Sequence, residues 1–287
     1  MSSINTNLSA MTALQSLKST QNAMNKNQNQ ISTGLRVSEA SHNASYWSIS
    51  TQMKSDNGAL SAVKDSIGQS KAMINTFTSA MDKSLTYLNK MKAGLVAATQ
   101  PGADLAKIQE EFKANIAGMK SAAGSANFNG QNWLAGAAPT AEPKLVVSYD
   151  GNTNSVGLLQ ITTAETRLFT DATAGTGGLL GTVAAIDISA VTDLSTIDAE
   201  LKKVDTAITA VTKGSAMLGA NKALLETQEE FIGALSDSLT AGVSTFIDAD
   251  MNEASTRNQA LQTQQQLGVQ ALSMANQNSQ MILKLFQ

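Results

Sequence analysis

Residues able to do chemistry are few in this chain and poorly grouped. His42 is the only histidine. A catalytic imidazole needs a nucleophile or an orienting carboxylate beside it, and a zinc centre needs several ligands. No HExxH pattern is present, so a loop hydrogen bond is the expected role of His42. Asp248 and Asp250 are spaced i,i+2, which on a helix would turn their carboxylates to different faces. They read as a solvated hinge rather than a metal pair. Gly175, Gly177, Gly178 and Gly181 fall one residue off the GxGxxG spacing and lack its strand–helix setting, so a flexible loop is expected there. Cysteine is absent, which removes disulfides, thiolate metal sites and cysteine catalysis together. The expectation is of no enzyme, with no catalytic residue, no metal and no cofactor.

Composition narrows the choice further. Hydrophobic residues make up 42% of the 287 positions but aromatic ones only 4%, so few large anchors are available to shape a deep ligand pocket. Net charge is −3 and the pI is near 5.2, with arginine confined to Arg36, Arg167 and Arg257. That balance offers no footprint for nucleic acid. No stretch approaches the roughly 20 apolar residues of a membrane span. The opening residues, MSSINTNLSAM, lack a basic segment followed by an apolar run, and a protein made without a cleavable export signal is expected.

With site chemistry excluded, the informative residues are apolar stripes at the two ends. Leu17, Met24 and Ile31 recur every seventh residue, and Leu14 and Leu35 share a second row interrupted by Gln21 and Gln28. Near the other end, Leu261, Gly268, Ala275 and Ile282 repeat by seven beside Ala271, Leu272 and Leu285, with Leu267 close by. A heptad row keeps one stripe turned toward a partner helix. These stripes are too polar and too small to hold two isolated helices strongly. They are expected to pack on each other and on copies of themselves, so Leu14, Leu17, Met24, Ile31, Leu35, Leu261, Leu267, Ala271, Leu272, Ala275, Ile282 and Leu285 form the candidate self-assembly interface.

The elements that position them are helices. Prolines occur only at Pro101, Pro139 and Pro143, leaving long runs on either side free of helix breakers. The pattern predicts a helix over 5–35, a polar loop, and a long amphipathic helix over 44–99 carrying Leu60, Ile67, Ile74, Phe77, Met81, Leu88 and Leu95. After the Pro101-Gly102 turn, Asp104 is placed to cap a third helix ending near 123. Residues 144–163 switch to strand period around Asp150-Gly151-Asn152, which marks a β-hairpin. The Gly-, Thr- and Ala-rich stretch 170–193 is expected on the surface. A second long helix resumes at 194, and a softer stretch near Phe246 precedes the C-terminal heptads. The fold class is mainly α: long antiparallel helices in a coiled-coil or bundle rod with a small hairpin midway.

Several ordered motifs resemble bacterial flagellin, the subunit of the flagellar filament. They are INTNLSAMTALQSL, QISTGLRVSEASHNASYWSIS, MKSDNGALSAVKDSIGQS and the segment from IDADMNEASTRNQ to the end. Gly34-Leu35-Arg36, Asp248-Ala249-Asp250, Gln265-Gln266-Leu267-Gly268 and Ala275-Asn276-Gln277 are the closest matches. The HNASYWSIS variant is similar to the short flagellins of alphaproteobacteria.

The resemblance implies an inner coiled-coil domain from residues 1–38 and 250–287. Around it would lie a helical rod domain from 39–162 and 194–249, with 163–193 a short variable outer segment. It implies a homopolymer or a copolymer with other flagellins, type III export in the unfolded state, and partners in a filament cap, junction proteins and an export chaperone. It also places the protein outside the cell. Ser279 stands where many relatives carry Pro, and TYLNKMKAGLVAATQPG departs from the pattern some members present to the animal innate receptor. The alternative from the same class is a hook–filament junction protein, which shares both termini. An enzyme or adhesin hidden in the central segment is the alternative from another class, and that segment holds no catalytic set.

Overall fold

A computed structural model describes residues 7–137, 141–189 and 194–284. The elements are α1 (Leu8–Thr33), α2 (Ala44–Ala98), α3 (Leu105–Ser125), β1 (Lys144–Asp150), β2 (Ser155–Gln160), a 3-10 turn (Thr163–Glu165), α4 (Gly181–Ala184), α5 (Leu194–Ile247) and α6 (Met251–Lys284). The order of long helices around a hairpin is the one expected; the 3-10 turn and α4 are additions. The chain forms two compact units, Gly58–Ser236 and the pair Met1–Asn57 with Asp237–Gln287. No helix among the described residues is long and apolar enough to cross a membrane.

The core of the Gly58–Ser236 unit is written in heptads. On α2, Leu60, Ile67, Ile74, Met81, Leu88 and Leu95 form one buried row, and Val63, Ser70, Phe77, Ser84, Met91 and Ala98 form a second. On α5, Ile197, Val204, Val211, Leu218, Leu225 and Ile232 repeat by seven and are all buried. Two rows spaced three and four apart give α2 a wide apolar stripe, as a core-facing helix requires. Ser70 and Ser84 are tolerated because each hydroxyl donates to the carbonyl four residues back, Ser66 and Ala80. Lys71 and Glu229 close the α2–α5 contact at 2.7 Å, and Lys92 and Asp205 do the same at 2.7 Å.

The third helix starts where Asp104 accepts from the Lys107 amide at 3.2 Å, as its position in the sequence predicts. It approaches α2 closely because two glycines allow it. A Cβ on Gly94 would lie 2.8 Å from the Phe112 ring, and one on Gly118 would lie 2.6 Å from the Tyr87 ring. The β1–β2 hairpin is antiparallel, with a register shift between Val146 and Ser148.

The stretch after the hairpin departs from expectation. Leu180, Val183, Ile186 and Ile188 are buried, as are Leu168 and Phe169 just before them, so part of the stretch 170–193 expected on the surface belongs to the core. Gln109 of α3, itself 5% exposed, clamps it: its Oε1 accepts from the Ile188 amide at 3.0 Å and its Nε2 donates to the Ile186 carbonyl at 3.4 Å. The glycines form a tight turn rather than a free loop. Gly178 has φ +67°, and a Cβ there would meet the Leu168 carbonyl oxygen at 2.6 Å. Residues 190–193 of the expected variable segment lie outside the described residues.

Candidate assembly interface

The other unit pairs the two ends of the chain. Helix α1 begins where Asn7 Oδ1 accepts from the Ala10 amide at 3.0 Å, and it ends on Gly34, whose φ of +70° no β-carbon-bearing residue adopts easily. Helix α6 begins where Asp250 Oδ1 accepts from the amides of Asn252 and Glu253. Three long-range bonds fix an antiparallel register. Asn7 Nδ2 donates to the Ala275 carbonyl at 3.0 Å, Gln265 Nε2 to Gln21 Oε1 at 2.8 Å, and Asn27 Nδ2 to the Ala254 carbonyl at 2.8 Å.

The seam follows two heptad rows on each helix. On α6 the less exposed residues are Ala254, Asn258, Leu261, Gln265, Gly268, Leu272 and Ala275. On α1 they include Ala10, Ala13, Leu17, Thr20, Met24, Asn27 and Ile31. The second α1 row is thus Ala13–Thr20–Asn27, not the row of Leu14. Small side chains draw the helices close: a Cβ on Gly268 would lie 3.1 Å from Leu17 Cδ1.

The candidate residues therefore divide. Leu17, Met24, Ile31, Leu261, Leu272 and Ala275 lie at or beside the seam. Leu35 is half-buried and bridges to Asp248. Leu14 (56% exposed), Leu267 (59%) and Ala271 face solvent within the subunit. The side chain of Ile282 and all of Leu285 lie outside the described residues. Leu8, Met11 and Met274 are also exposed, and they join Leu14 and Leu267 at the end of the pair where Asn7 meets Ala275. Sequence reasoning missed these three because they sit outside the rows with the longest repeats, although Met274 lies seven residues beyond Leu267. The result is a helix pair with one seam used internally and apolar side chains left exposed outside it on both helices.

Two motifs far apart in sequence meet at the opposite end. Leu35 pairs with Asp248 in an antiparallel bridge, the Ala249 amide donates to the Gly34 carbonyl at 2.9 Å, and the Arg36 amide donates to the Ile247 carbonyl at 2.6 Å. Arg36 Nη2 reaches the Phe246 carbonyl at 3.1 Å, and its guanidinium lies 5.8 Å from the centre of the Tyr46 ring, which stacks on Phe246. Asp248 accepts from Ser244 Oγ at 2.6 Å. The two aspartates expected as a solvated hinge are thus a bonded junction and a helix cap. Tyr46, Trp47 and Ile49 remain over a third exposed. His42 Nδ1 lies 3.4 Å from Ser38 Oγ, the loop contact expected of it. Among the described residues, no group of three His, Cys, Asp or Glu side chains could hold a metal.

Comparison with known proteins bears on both helical regions. The bacterial flagellin N-terminal helical region matches residues 4–138, and the bacterial flagellin C-terminal helical region matches residues 201–286. A flagellin of Brucella melitensis is 45% identical over 287 residues, covering 100% of this chain and 99% of that protein. Flagellin C of Rhizobium meliloti is 40% identical with full coverage of both chains. Flagellin A of Rhizobium meliloti is 35% identical over an alignment of 394 positions, longer than this chain, so that relative carries additional sequence. With the two helical regions matched and relatives aligned end to end, the chain belongs to the bacterial flagellin family.

Proposed function

We propose that this protein is the structural, non-enzymatic subunit of a bacterial flagellar filament, growing by addition of copies of itself for swimming motility. Family membership supplies the class; the observation that carries the mechanism is the terminal helix pair with large apolar side chains exposed outside its seam on both helices. Covering a fully exposed Leu or Met side chain is worth roughly 1.5–3 kcal/mol. Leu8, Met11, Leu14, Leu267 and Met274 therefore hold in reserve the energy an intersubunit contact needs. In this reading residues 1–38 and 250–287 form the inner layer, with Leu17, Met24, Leu261 and Leu272 pairing inside each subunit. Leu14, Leu267 and Ala271 reach the next subunit. Residues 39–162 and 194–249 surround that layer, and 163–193 supply what outer surface there is.

The pair is weak by construction, because small and amide side chains fill positions where Leu would stabilise it. Neighbouring subunits make up the difference on assembly. The filament lies outside the cell, and the subunit leaves unfolded through the flagellar export system, with a cap at the growing tip and a chaperone before export as partners.

Electron microscopy of purified protein seeded with filament fragments tests this. The full-length chain is expected to extend the seeds, and a chain lacking 1–38 and 250–287 is expected not to. Equal extension by both, or extension by neither, would remove the terminal pair from the mechanism.

A further inference from the structure

The oxidisable side chains of this protein are unevenly placed. The chain has 12 methionines and no cysteine, so no thiolate is present to consume an oxidant first. Met81, Met91 and Met119 are fully buried in the Gly58–Ser236 unit, and Met24 is 8% exposed in the α1–α6 seam. Met11 is 58% exposed and Met274 64% exposed. These two share one end of the terminal pair, since Asn7, one turn before Met11, bonds to Ala275, the residue after Met274. Both are turned from the seam, where Ala10 and Ala275 take the half-buried positions beside them. Leu8, Leu14 and Leu267 are likewise exposed apolar side chains outside the seam.

We propose that Met11 and Met274 are peroxide-reactive modification sites, and that their conversion to methionine sulfoxide stops the subunit from joining a filament. The inference rests on the assembly role proposed above. In the reaction a thioether sulfur attacks one oxygen of hydrogen peroxide. The O–O bond breaks as the S–O bond forms, and the departing hydroxide takes the proton of the transferred oxygen and leaves as water. Sulfur is oxidised by two electrons and one peroxide is reduced for each residue modified. The product is a polar, chiral sulfoxide where the interface requires a flexible apolar chain. The folded subunit loses little, because both side chains face water before assembly. The interface loses much, because the new oxygen must be buried without a matched donor. Once neighbouring subunits cover these side chains, the sulfurs are shielded, so the filament resists a dose that disables the free subunit.

The test treats the full-length chain with dilute hydrogen peroxide, maps added oxygen by peptide mass spectrometry, and follows seeded extension by light scattering. Untreated protein must extend seeds; if it does not, the assembly reading fails and not this one. Expected is oxidation of Met11 and Met274 before Met24, Met81, Met91 and Met119, with extension slowed roughly tenfold or more, as burial of an unmatched polar group implies. Methionine sulfoxide reductases of both stereospecificities should restore it. The Met11→Leu/Met274→Leu chain should keep extending after the same dose, whereas Met251→Leu, which removes the other exposed methionine described, should give no protection. Undiminished extension by protein oxidised at both sites would overturn the proposal. So would failure of the reductases to restore growth, or resistance conferred by Met251→Leu alone.

Discussion

Asn27 is 2% exposed, yet only one end of its amide is used. Its Nδ2 donates to the Ala254 carbonyl, while Oδ1 has no protein hydrogen-bond partner, and Asn258 Oδ1 across the same seam is in the same state. A buried unmatched acceptor costs about 1–3 kcal/mol. An amide at a heptad core position gives up stability for register, because sliding the helices breaks its one bond. Asn27→Leu is therefore expected to raise the stability of the terminal pair by about 1 kcal/mol. At the same time it should degrade the regularity of seeded filaments in micrographs; a less stable pair in denaturant would contradict this account. Gly34 presents the opposite case. Nothing lies within 4 Å of a Cβ built there, so Gly34→Ala meets only the backbone penalty of φ +70°, about 1–2 kcal/mol in the denaturation midpoint of this unit. At this scale the sequence showed which residues were unusual but not whom they meet. Gly34-Leu35-Arg36 and Asp248-Ala249-Asp250 both stood out as motifs. That they bind each other depends on chain reversal through everything between them.

Helix α2 was legible because its period carries the information. Leu60 to Leu95 at sevens predict a buried stripe, and the second row, including Ser70 and Ser84, follows once the first is placed. Phe77 sits in that second row, fully buried, with its ring centre 4.7 Å from that of Trp133. Phe77→Ala should cost about 3–5 kcal/mol, read as a lower melting temperature, because α2 cannot bend to fill the space. The segment that holds Leu168, Phe169, Leu180 and Ile188 was not legible. It has no repeat, and its order comes from distant groups such as Gln109. The α2–α5 ion pair adds a pH signature. Its hydrogen bond to Glu229 raises the Lys71 pKa above 10.5, against a smaller opposing effect of burial. A raised lysine stabilises the fold at pH below its unfolded value and loses that contribution as pH climbs through the folded one. Lys71→Met should therefore differ from the parent at neutral pH and converge with it in unfolding experiments as pH climbs through the raised lysine pKa.

Taken whole, each unit leaves apolar surface that its own core does not use. In the Gly58–Ser236 unit, Leu224 is 47% exposed and Phe231 is 60% exposed. They stand seven residues apart, each one position before a buried residue of the α5 row, Leu225 and Ile232. A periodic exposed pair on a helix already committed to a core is the pattern of a helix with a further partner, and among the described residues this pair stays exposed. The same reasoning applies to Leu14 and Leu267 in the terminal pair. The prediction separates fold from assembly in one variant. Phe231→Asp removes no core contact and places a charge in water, so the isolated subunit should keep its stability within about 0.5 kcal/mol. A neighbour packed against that face would have to bury the carboxylate, and seeded extension should fall tenfold or more, as an unpaired buried charge demands. A destabilised subunit would show that Phe231 belongs to the fold, and unaltered extension would show that this face of α5 stays in solvent in the filament.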